Sequence, residues 1–444
     1  MNNFVGFSKY KFGLKFPGIC QLLSLQIKYS TSNYYEDFTN SASIYVHWPY
    51  CAKRCTYCNF NKYINSNVNN IRMTDSLVTE TKALLKLSGV KQITSIFFGG
   101  GTPSLAPPST IQRIIECVKQ LANLSNRAEI TLEANPTALE FQKLRDFKTA
   151  GINRLSVGVQ SLNDAQLRIL GRNHSAAEAI RCVEEAINLY KGSVSIDLIF
   201  GIPGQTLKDW LEELKRTLCF CDDHLSLYQL IVKRGTPLYH KRSKGIMKFP
   251  NDDILADMYE ETVKILEEEH FSRYEVSNFA RNGAESIHNK SYWQGKQYIG
   301  VGPGAHGRFV TKGQSLEVGH NFRQARIQIL EPEQWMAAVE RFGHGTKISV
   351  PLSLKDILEE GLVMTLRTDE GIDCSEWHQR TGVDLLKILF SSETIQEYML
   401  QEFFSIKGNR LKATKKGILV LDRLLPDFIL ALQHYFESFE KNQR

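Results

Sequence analysis

The sequence predicts an α/β fold: a partial (β/α)6 barrel followed by a smaller winged-helix-like α+β domain. Three observations predict it. Six apolar, β-rich runs alternate with helical ones between residues 44 and 232, which implies parallel strands joined by right-handed crossovers. Six such units curve a sheet but fall short of the eight of a closed barrel. After Pro351 the pattern changes to helices, a hairpin and a final helix. The composition agrees: 444 residues, 42% hydrophobic and 23% charged, which excludes a disordered, collagen-like or coiled-coil chain. No apolar run approaches the ~20 residues of a membrane span. Nine cysteines, an odd number, are too sparse for a disulfide scaffold.

The elements follow in chain order. Residues 1–40 are basic and apolar, with Lys9, Lys11, Lys15 and Lys28 and no acid before Glu36. They suit a cleavable mitochondrial transit segment, although Arg is absent; a frayed terminus with chance Lys enrichment is the bland alternative. Without those four lysines the chain holds 50 basic against 48 acidic residues. No bulk basicity points to nucleic acid. Residues 41–276 are assigned to the barrel. Its strands are expected at Ile44 to His47, Ile93 to Phe98, Glu129 to Glu133, Leu155 to Val159, Val194 to Phe200 and Leu225 to Val232. Helical spacing marks Thr74 to Leu87, Ser109 to Leu121, Leu139 to Thr149, Ala176 to Leu189, Leu207 to Leu218 and Asp252 to Glu269. Residues 277–350, rich in Gly, Asn, Ser and His, are expected to be loop-dominated, and a loop region of that length is more often functional than idle. Residues 351–444 form the second domain, with helices at Leu354 to Leu366 and Leu385 to Leu400, a hairpin around Lys407-Gly408-Asn409, and a helix ending before Pro426.

The strongest chemical signal is Cys51-Ala52-Lys53-Arg54-Cys55-Thr56-Tyr57-Cys58, three thiols within eight residues just after a strand. Soft thiolates suit zinc or iron–sulfur clusters. Structural zinc takes four ligands in paired knuckles, and no second knuckle exists. Three close thiolates suit a [4Fe–4S] cluster with one iron free of protein ligands. Lys53 and Arg54 offset cluster charge and favour thiolates.

This loop is the C-x3-C-x2-C signature with an aromatic before the third Cys, and the chain resembles the radical S-adenosylmethionine (SAM) superfamily. The resemblance implies a cluster whose open iron binds the cofactor, and electron transfer that cleaves the sulfonium to a 5′-deoxyadenosyl radical. It also implies a cofactor-binding set. Tyr45 lies six residues before Cys51, and Tyr57 is the aromatic beside the adenine. Gly99-Gly100-Gly101-Thr102 is similar to the glycine motif that takes the methionine amino group, and glycine lets backbone approach a ligand closely. Glu133 matches the ribose-binding acid. Gln160 and Arg172 match polar positions of the pocket, and Asp197 opens another shared motif, Asp197 to Thr206. An Asp on an apolar strand needs a ligand or a hydrogen-bond partner, and a buried structural role is the even alternative.

The run Tyr45-Val46-His47-Trp48-Pro49-Tyr50-Cys51, the glycine motif and Ile196 to Thr206 together resemble the oxygen-independent coproporphyrinogen dehydrogenases and their HemW-like relatives. Oxidative decarboxylases carry a fourth Cys two residues after the third; here that position is Phe60, the HemW-like arrangement. His288-Asn289-Lys290-Ser291-Tyr292-Trp293 resembles the H-N-x-x-Y-W motif associated with haem binding. Imidazole is a common axial ligand of haem iron, and Tyr292 and Trp293 suit packing on a porphyrin face. The resemblance implies a mitochondrial haem chaperone that carries haem as cargo to acceptor haem proteins, respiratory ones among the candidates, with an electron donor serving the cluster. No catalytic residue is assigned. The alternative is oxygen-independent coproporphyrinogen III dehydrogenase or another radical SAM enzyme. One departure stands out: Lys233, before Arg234-Gly235-Thr236-Pro237, replaces an acid frequent in relatives. Cys219 and Cys221 have no third thiol nearby and read as ordinary thiols.

Overall fold

The structure is a computed structural model that describes residues 40–65, 67–311 and 323–442; the expected transit segment lies outside the described residues. Six parallel strands form its centre: β1 (Ser41–Trp48), β2 (Gln92–Gly100), β3 (Asn123–Ala134), β4 (Arg154–Gln160), β5 (Val194–Phe200) and β6 (His224–Gln229), side by side in sequence order. Helices α1 (Asn70–Ser88), α2 (Pro108–Leu121), α3 (Ala176–Tyr190) and α4 (Leu207–Leu218) cover the outer face. Their sequences dictate this. On α2 the buried Ile111, Ile114, Ile115 and Val118 recur at helical spacing, each isoleucine contributing about 1.5–3 kcal/mol by burial. Capping boxes at Ser175 with Glu178 and Thr206 with Asp209 start α3 and α4. The open barrel expected from the alternation is the observed architecture.

The sheet extends further than the sequence reading has it. Among the described residues it holds twelve strands. Asn278–Ala280 pairs antiparallel with β6. On the opposite edge Tyr298–Val301 pairs parallel with β1, and His306–Val310, Arg323–Gln328 and Thr346–Pro351 continue antiparallel. Residues 277–350 are therefore not loop-dominated. Gly300 misleads as a loop signal: a Cβ there would lie 2.0 Å from the His306 carbonyl oxygen, so glycine is what lets two strands meet. Between the two edges the chain crosses beneath the barrel as a short helix, Ile287–Trp293.

The C-terminal region has its own core, including Leu358, Leu362, Phe404, Phe428 and Leu432. Its three-stranded sheet joins Ile372–Asp373, Arg410–Ala413 and Phe404–Lys407, and the last two form the expected hairpin. The single helix expected over Leu385 to Leu400 is two, Leu385–Leu389 and Glu393–Leu400. At the break the Ser391 hydroxyl donates to the Ile388 carbonyl at 2.6 Å, the local competition that makes serine a poor helix interior residue. Pro426 does not stop a helix but sits inside Leu421–Asn442. It is near the start of that helix, where the missing N–H forfeits one early bond.

Candidate functional site

In each barrel strand alternate residues face inward. Ser43, Tyr45 and His47 of β1, Ser95, Phe97 and Gly99 of β2, Glu129, Thr131 and Glu133 of β3, and Arg154, Ser156 and Gly158 of β4 form successive interior levels. The C-terminal strand ends make a roof and the N-terminal ends a floor.

The cysteine loop leaves the roof end of β1. Tyr50–Cys51 pairs in parallel with Tyr63–Ile64, which folds the loop back on itself. The Thr56 backbone N–H donates to Leu170 O at 3.0 Å, its hydroxyl donates to Ile169 O at 2.7 Å, and Lys62 Nζ donates to Cys58 O at 2.6 Å. Cys51 is buried, Cys55 and Cys58 are half-buried, and all three are free thiols. Burial, the largest effect, pushes the Cys51 thiol up to about 11. The Thr102 hydroxyl lies 3.4 Å from Cys51 Sγ and Arg172 Nη1 3.5 Å from Cys55 Sγ. Tyr57 is half-buried on a small apolar cluster of Leu170, Ile199 and Ile202.

The glycine run ends β2. A Cβ on Gly99 would lie 3.0 Å from the Tyr45 ring and 3.2 Å from the Glu133 carboxyl carbon. Gly100 has φ +112° and a Cβ there would lie 2.6 Å from the His47 ring, so no side chain fits; its N–H donates to Glu133 Oε2 at 3.1 Å. The Tyr45 hydroxyl and His47 Nδ1 are 3.0 Å apart, and His47 Nε2 lies 2.7 Å from Asn61 O. Burial lowers His47 to about 4, so it is neutral. Two carboxyls face the interior. Burial raises Glu133 to about 7 and Asp197 to about 6. Ser156 donates to both Asp197 oxygens, at 3.1 and 3.0 Å. Arg172 donates to Gly158 O at 2.8 Å and to the Asn135 side chain. Gln160 holds φ at 69°, a left-handed position that costs a non-glycine residue about 1 kcal/mol or more. The structure thus gathers the expected cysteines, Tyr45, Tyr57, Gly99, Gly100, Gly101, Thr102, Glu133, Gln160, Arg172 and Asp197 at one end of the barrel.

His288 sits at the other end. The sequence reading leaves it in a loop; the structure puts it on the floor helix at 0% exposure. Its Nδ1 is 2.9 Å from Ser95 Oγ, whereas its Nε2 is buried with no hydrogen-bond partner. Burial depresses it to about 3. The ring stacks on Phe97 with centroids 4.9 Å apart and meets Tyr292 edge-on at 5.0 Å. Trp293 is buried on the same helix and its carbonyl accepts from Thr365 at 3.3 Å. One carboxylate secures the helix: Glu129 accepts from Ser286 Oγ at 2.9 Å and from the Ile287 and His288 backbone N–H at 3.0 and 2.9 Å. Arg154 pairs with it at 3.4 Å and also donates to Ser195 and Ala284.

Sequence reasoning misses His47, Phe97, Glu129, Arg154 and Ser156. Period-two alternation would have found them, since each stands on the inward face of a strand that carries or adjoins a predicted residue.

The residues fit the groups that the resemblance implies. Among the described residues no three His, Cys, Asp or Glu side chains close on a single ion; cluster thiolates instead bind separate irons and stand wider apart. Two buried carboxyls whose ionisation burial opposes, beside bare glycine backbone, suit a cationic ligand bearing hydroxyls. The orphaned His288 Nε2 is a neutral imidazole donor of the kind haem iron takes.

Comparison with known proteins identifies the family and the fold. The description "Radical SAM superfamily" matches residues 45–217, and "HemN C-terminal domain" matches residues 352–420. Mitochondrial radical S-adenosyl methionine domain-containing protein 1 of Danio rerio is 49% identical, over 89% of both chains. The Mus musculus protein of that name is 47% identical, over 90% of both. Heme chaperone HemW of Bacillus subtilis is 31% identical over 77% of this chain and 88% of its own. Among solved structures the coproporphyrinogen III oxidase HemN of Escherichia coli, a radical SAM enzyme, superposes with a TM-score of 0.72 over 89% of this chain and 91% of its own, at 22% identity. That likeness speaks for the fold. The mitochondrial relatives, at 47–49% identity over most of the chain, place this protein in the mitochondrion. The chain belongs to the radical SAM superfamily, in the HemW-like branch that includes these mitochondrial radical S-adenosyl methionine domain-containing proteins.

Proposed function

We propose that this chain is a mitochondrial haem chaperone that carries a [4Fe–4S] cluster and S-adenosyl-L-methionine and delivers haem to acceptor haem proteins, after removal of a transit segment within residues 1–40. Cys51, Cys55 and Cys58 hold the cluster, with Lys53 and Arg54 offsetting its charge. Tyr45, Tyr57, Gly99, Gly100, Gly101, Thr102, Glu133, Gln160, Arg172 and Asp197 surround the cofactor. Glu133 and Asp197 would accept hydrogen bonds from its hydroxyls, and the glycine backbone would receive its polar end. Together the two groups supply one-electron reductive chemistry at the sulfonium. His288, with Tyr292 and Trp293 beside it, receives haem.

The observation that carries the reading is the buried His288 Nε2 without a partner. An unpaired buried polar atom costs about 1–3 kcal/mol, and iron coordination would relieve that cost. Phe97 and Tyr292 close over the ring, so haem reaches it when the floor helix moves. An anaerobic haem titration of reconstituted wild type and His288→Ala, followed by absorbance, tests it. A saturable spectrum that weakens in the variant supports ligation by His288. Equal binding moves the ligand elsewhere, and no specific binding by either removes the chaperone reading.

The roof pocket favours a second reading, a radical enzyme acting on coproporphyrinogen or another substrate. It expects 5′-deoxyadenosine to form when coproporphyrinogen is added. Phe60, where the decarboxylases carry a fourth Cys, stands against it.

A further inference from the structure

We infer that the basic face beside the cysteine loop is the docking surface of an acidic one-electron carrier protein. The inference rests on the reading that Cys51, Cys55 and Cys58 hold a cluster. Residues 224–251 carry Lys233, Arg234, Lys241, Arg242, Lys244 and Lys248 and no Asp or Glu. In a body with 50 basic and 48 acidic residues, that is a local concentration. Arg234, Arg242, Lys244 and Lys248 are exposed, as are Lys53 and Arg54 on the cysteine loop. None of these takes part in a salt bridge among the described residues, whereas Arg72, Arg154, Arg281, Arg308 and Arg367 all do.

The fold brings the two basic segments together. The Leu238 N–H donates to Thr56 O at 2.9 Å, and Thr56 lies between Cys55 and Cys58. At the far end the Gly204 N–H donates to Lys248 O at 3.1 Å, which ties the segment to the roof loop after β5. Within the basic face Ile231 and Ile246 are 48% and 64% exposed. Exposed apolar side chains framed by one sign of charge are the make-up of a transient protein interface.

Charge of this kind steers an acidic partner and raises the encounter rate more than it tightens the complex. The direct attachment to the cysteine loop identifies an electron carrier as the occupant, since a membrane needs no cluster beneath it. In the step the carrier loses one electron and the cluster gains it; no bond or proton changes place.

The test uses an acidic [2Fe–2S] ferredoxin as probe. Its affinity for the reconstituted chain and for the cluster-free chain is measured against salt, and the rate of cluster reduction is followed by stopped flow. Lys241→Glu/Arg242→Glu/Lys244→Glu is compared with Lys91→Glu/Lys119→Glu/Lys407→Glu, an equal charge change at exposed sites elsewhere. The patch variant is expected to lose about tenfold in affinity and reduction rate near ~50 mM salt and to show a flatter salt dependence, while the control shifts less than about twofold. Photoreduced deazaflavin reduces the cluster of both variants alike. Equal losses in both variants, or none in either, overturn the inference. Retention on cardiolipin vesicles with no ferredoxin binding overturns it too. A wild-type chain that binds ferredoxin but reconstitutes no cluster refutes the cluster reading instead.

Discussion

The start of the floor helix Ile287–Trp293 is held by one carboxylate, Glu129, and that anchor can be weakened without touching the helix. In Glu129→Gln the side chain keeps its shape. Oε1 serves Ser286 Oγ and the His288 N–H; Oε2 serves the Ile287 N–H and faces Arg154. The amide puts NH2 at one of those positions, so a donor meets a donor and Arg154 loses its anion. Both partners are 6% exposed, so solvent compensates little. Hydrogen bonds to a charged group are worth about 1.5–3 kcal/mol, and breaking one side of a buried ion pair costs about 3–5 kcal/mol. Arg154 keeps Ser195 and Ala284 as acceptors, so about 3 kcal/mol is the reasoned cost. At 1.4 kcal/mol per tenfold this enlarges the population with the helix released by about 100-fold. Hydrogen exchange reads it directly, because protection reports the opening free energy. Amides 287–293 are expected to exchange about 100-fold faster while those of β5 keep their protection, and haem association is expected to accelerate with them. Unchanged protection in 287–293 refutes the idea that Glu129 holds the helix. A uniform loss across β1–β6 refutes the idea that the helix opens separately from the barrel.

Three further outcomes are expected. Gly100→Ala adds a clash with His47 to the cost of a positive φ and is expected to lose about 2–4 kcal/mol in denaturant unfolding; Gly192→Ala, with φ +77° and open space around it, isolates the φ part at about 1 kcal/mol. Between pH 4.5 and 7 two opposed slopes act on the thermal stability of the cluster-free chain. Glu133 and Asp197 hold protons in the fold that they release when unfolded, so their share falls as pH rises, whereas His47 and His288 stay neutral in the fold and take up protons when unfolded, so theirs rises. Glu133→Gln removes one share of the falling slope and is expected to make stability rise more, or fall less, with pH than in wild type, with Glu80, which burial also raises to about 7, left in place; a pH dependence unchanged by the substitution would show that Glu133 ionises freely. Phe97→Leu is expected to leave haem and S-adenosylmethionine binding separately intact and to reduce the factor by which each alters the other's affinity in titrations, and an unchanged factor refutes coupling through that ring.

Much of the roof was legible in the sequence because its residues cluster in short, chemically loaded runs. Three cysteines in eight positions and three successive glycines after a strand announce themselves. The barrel was legible because α2 and its fellows repeat apolar residues at helical spacing between β-branched runs. The floor was not. Glu129 and Arg154 lie 25 residues apart and meet only because β3 and β4 are neighbours in the sheet. Gly300 and Gly302 read as loop residues, although one sits in a strand that completes the sheet beside β1 and the other follows that strand directly. Glycine composition reports close backbone approach and free turns alike, and only the partner atom distinguishes them. His288 was identified from its motif, but burial was invisible: the sequence around it is polar, and the polar groups are absorbed by Glu129, Ser95, Ser43 and Tyr274.

The two ends of the barrel are connected by one column of side chains. His288 stacks on Phe97, Phe97 stacks on Tyr45 with centroids 6.2 Å apart, and the Tyr45 hydroxyl reaches His47, whose ring lies against Gly100. Interiors are packed too tightly for such a column to shift at one end alone. A ligand that moves Tyr45 at the roof must move Phe97 or open a gap beside it, and Phe97 is the surface on which His288 rests. Linkage then requires the effect to run equally in both directions. In the proposed chaperone this would give the cofactor pocket a use without turnover: filling the roof would change how firmly the floor holds His288, and with it the affinity for haem.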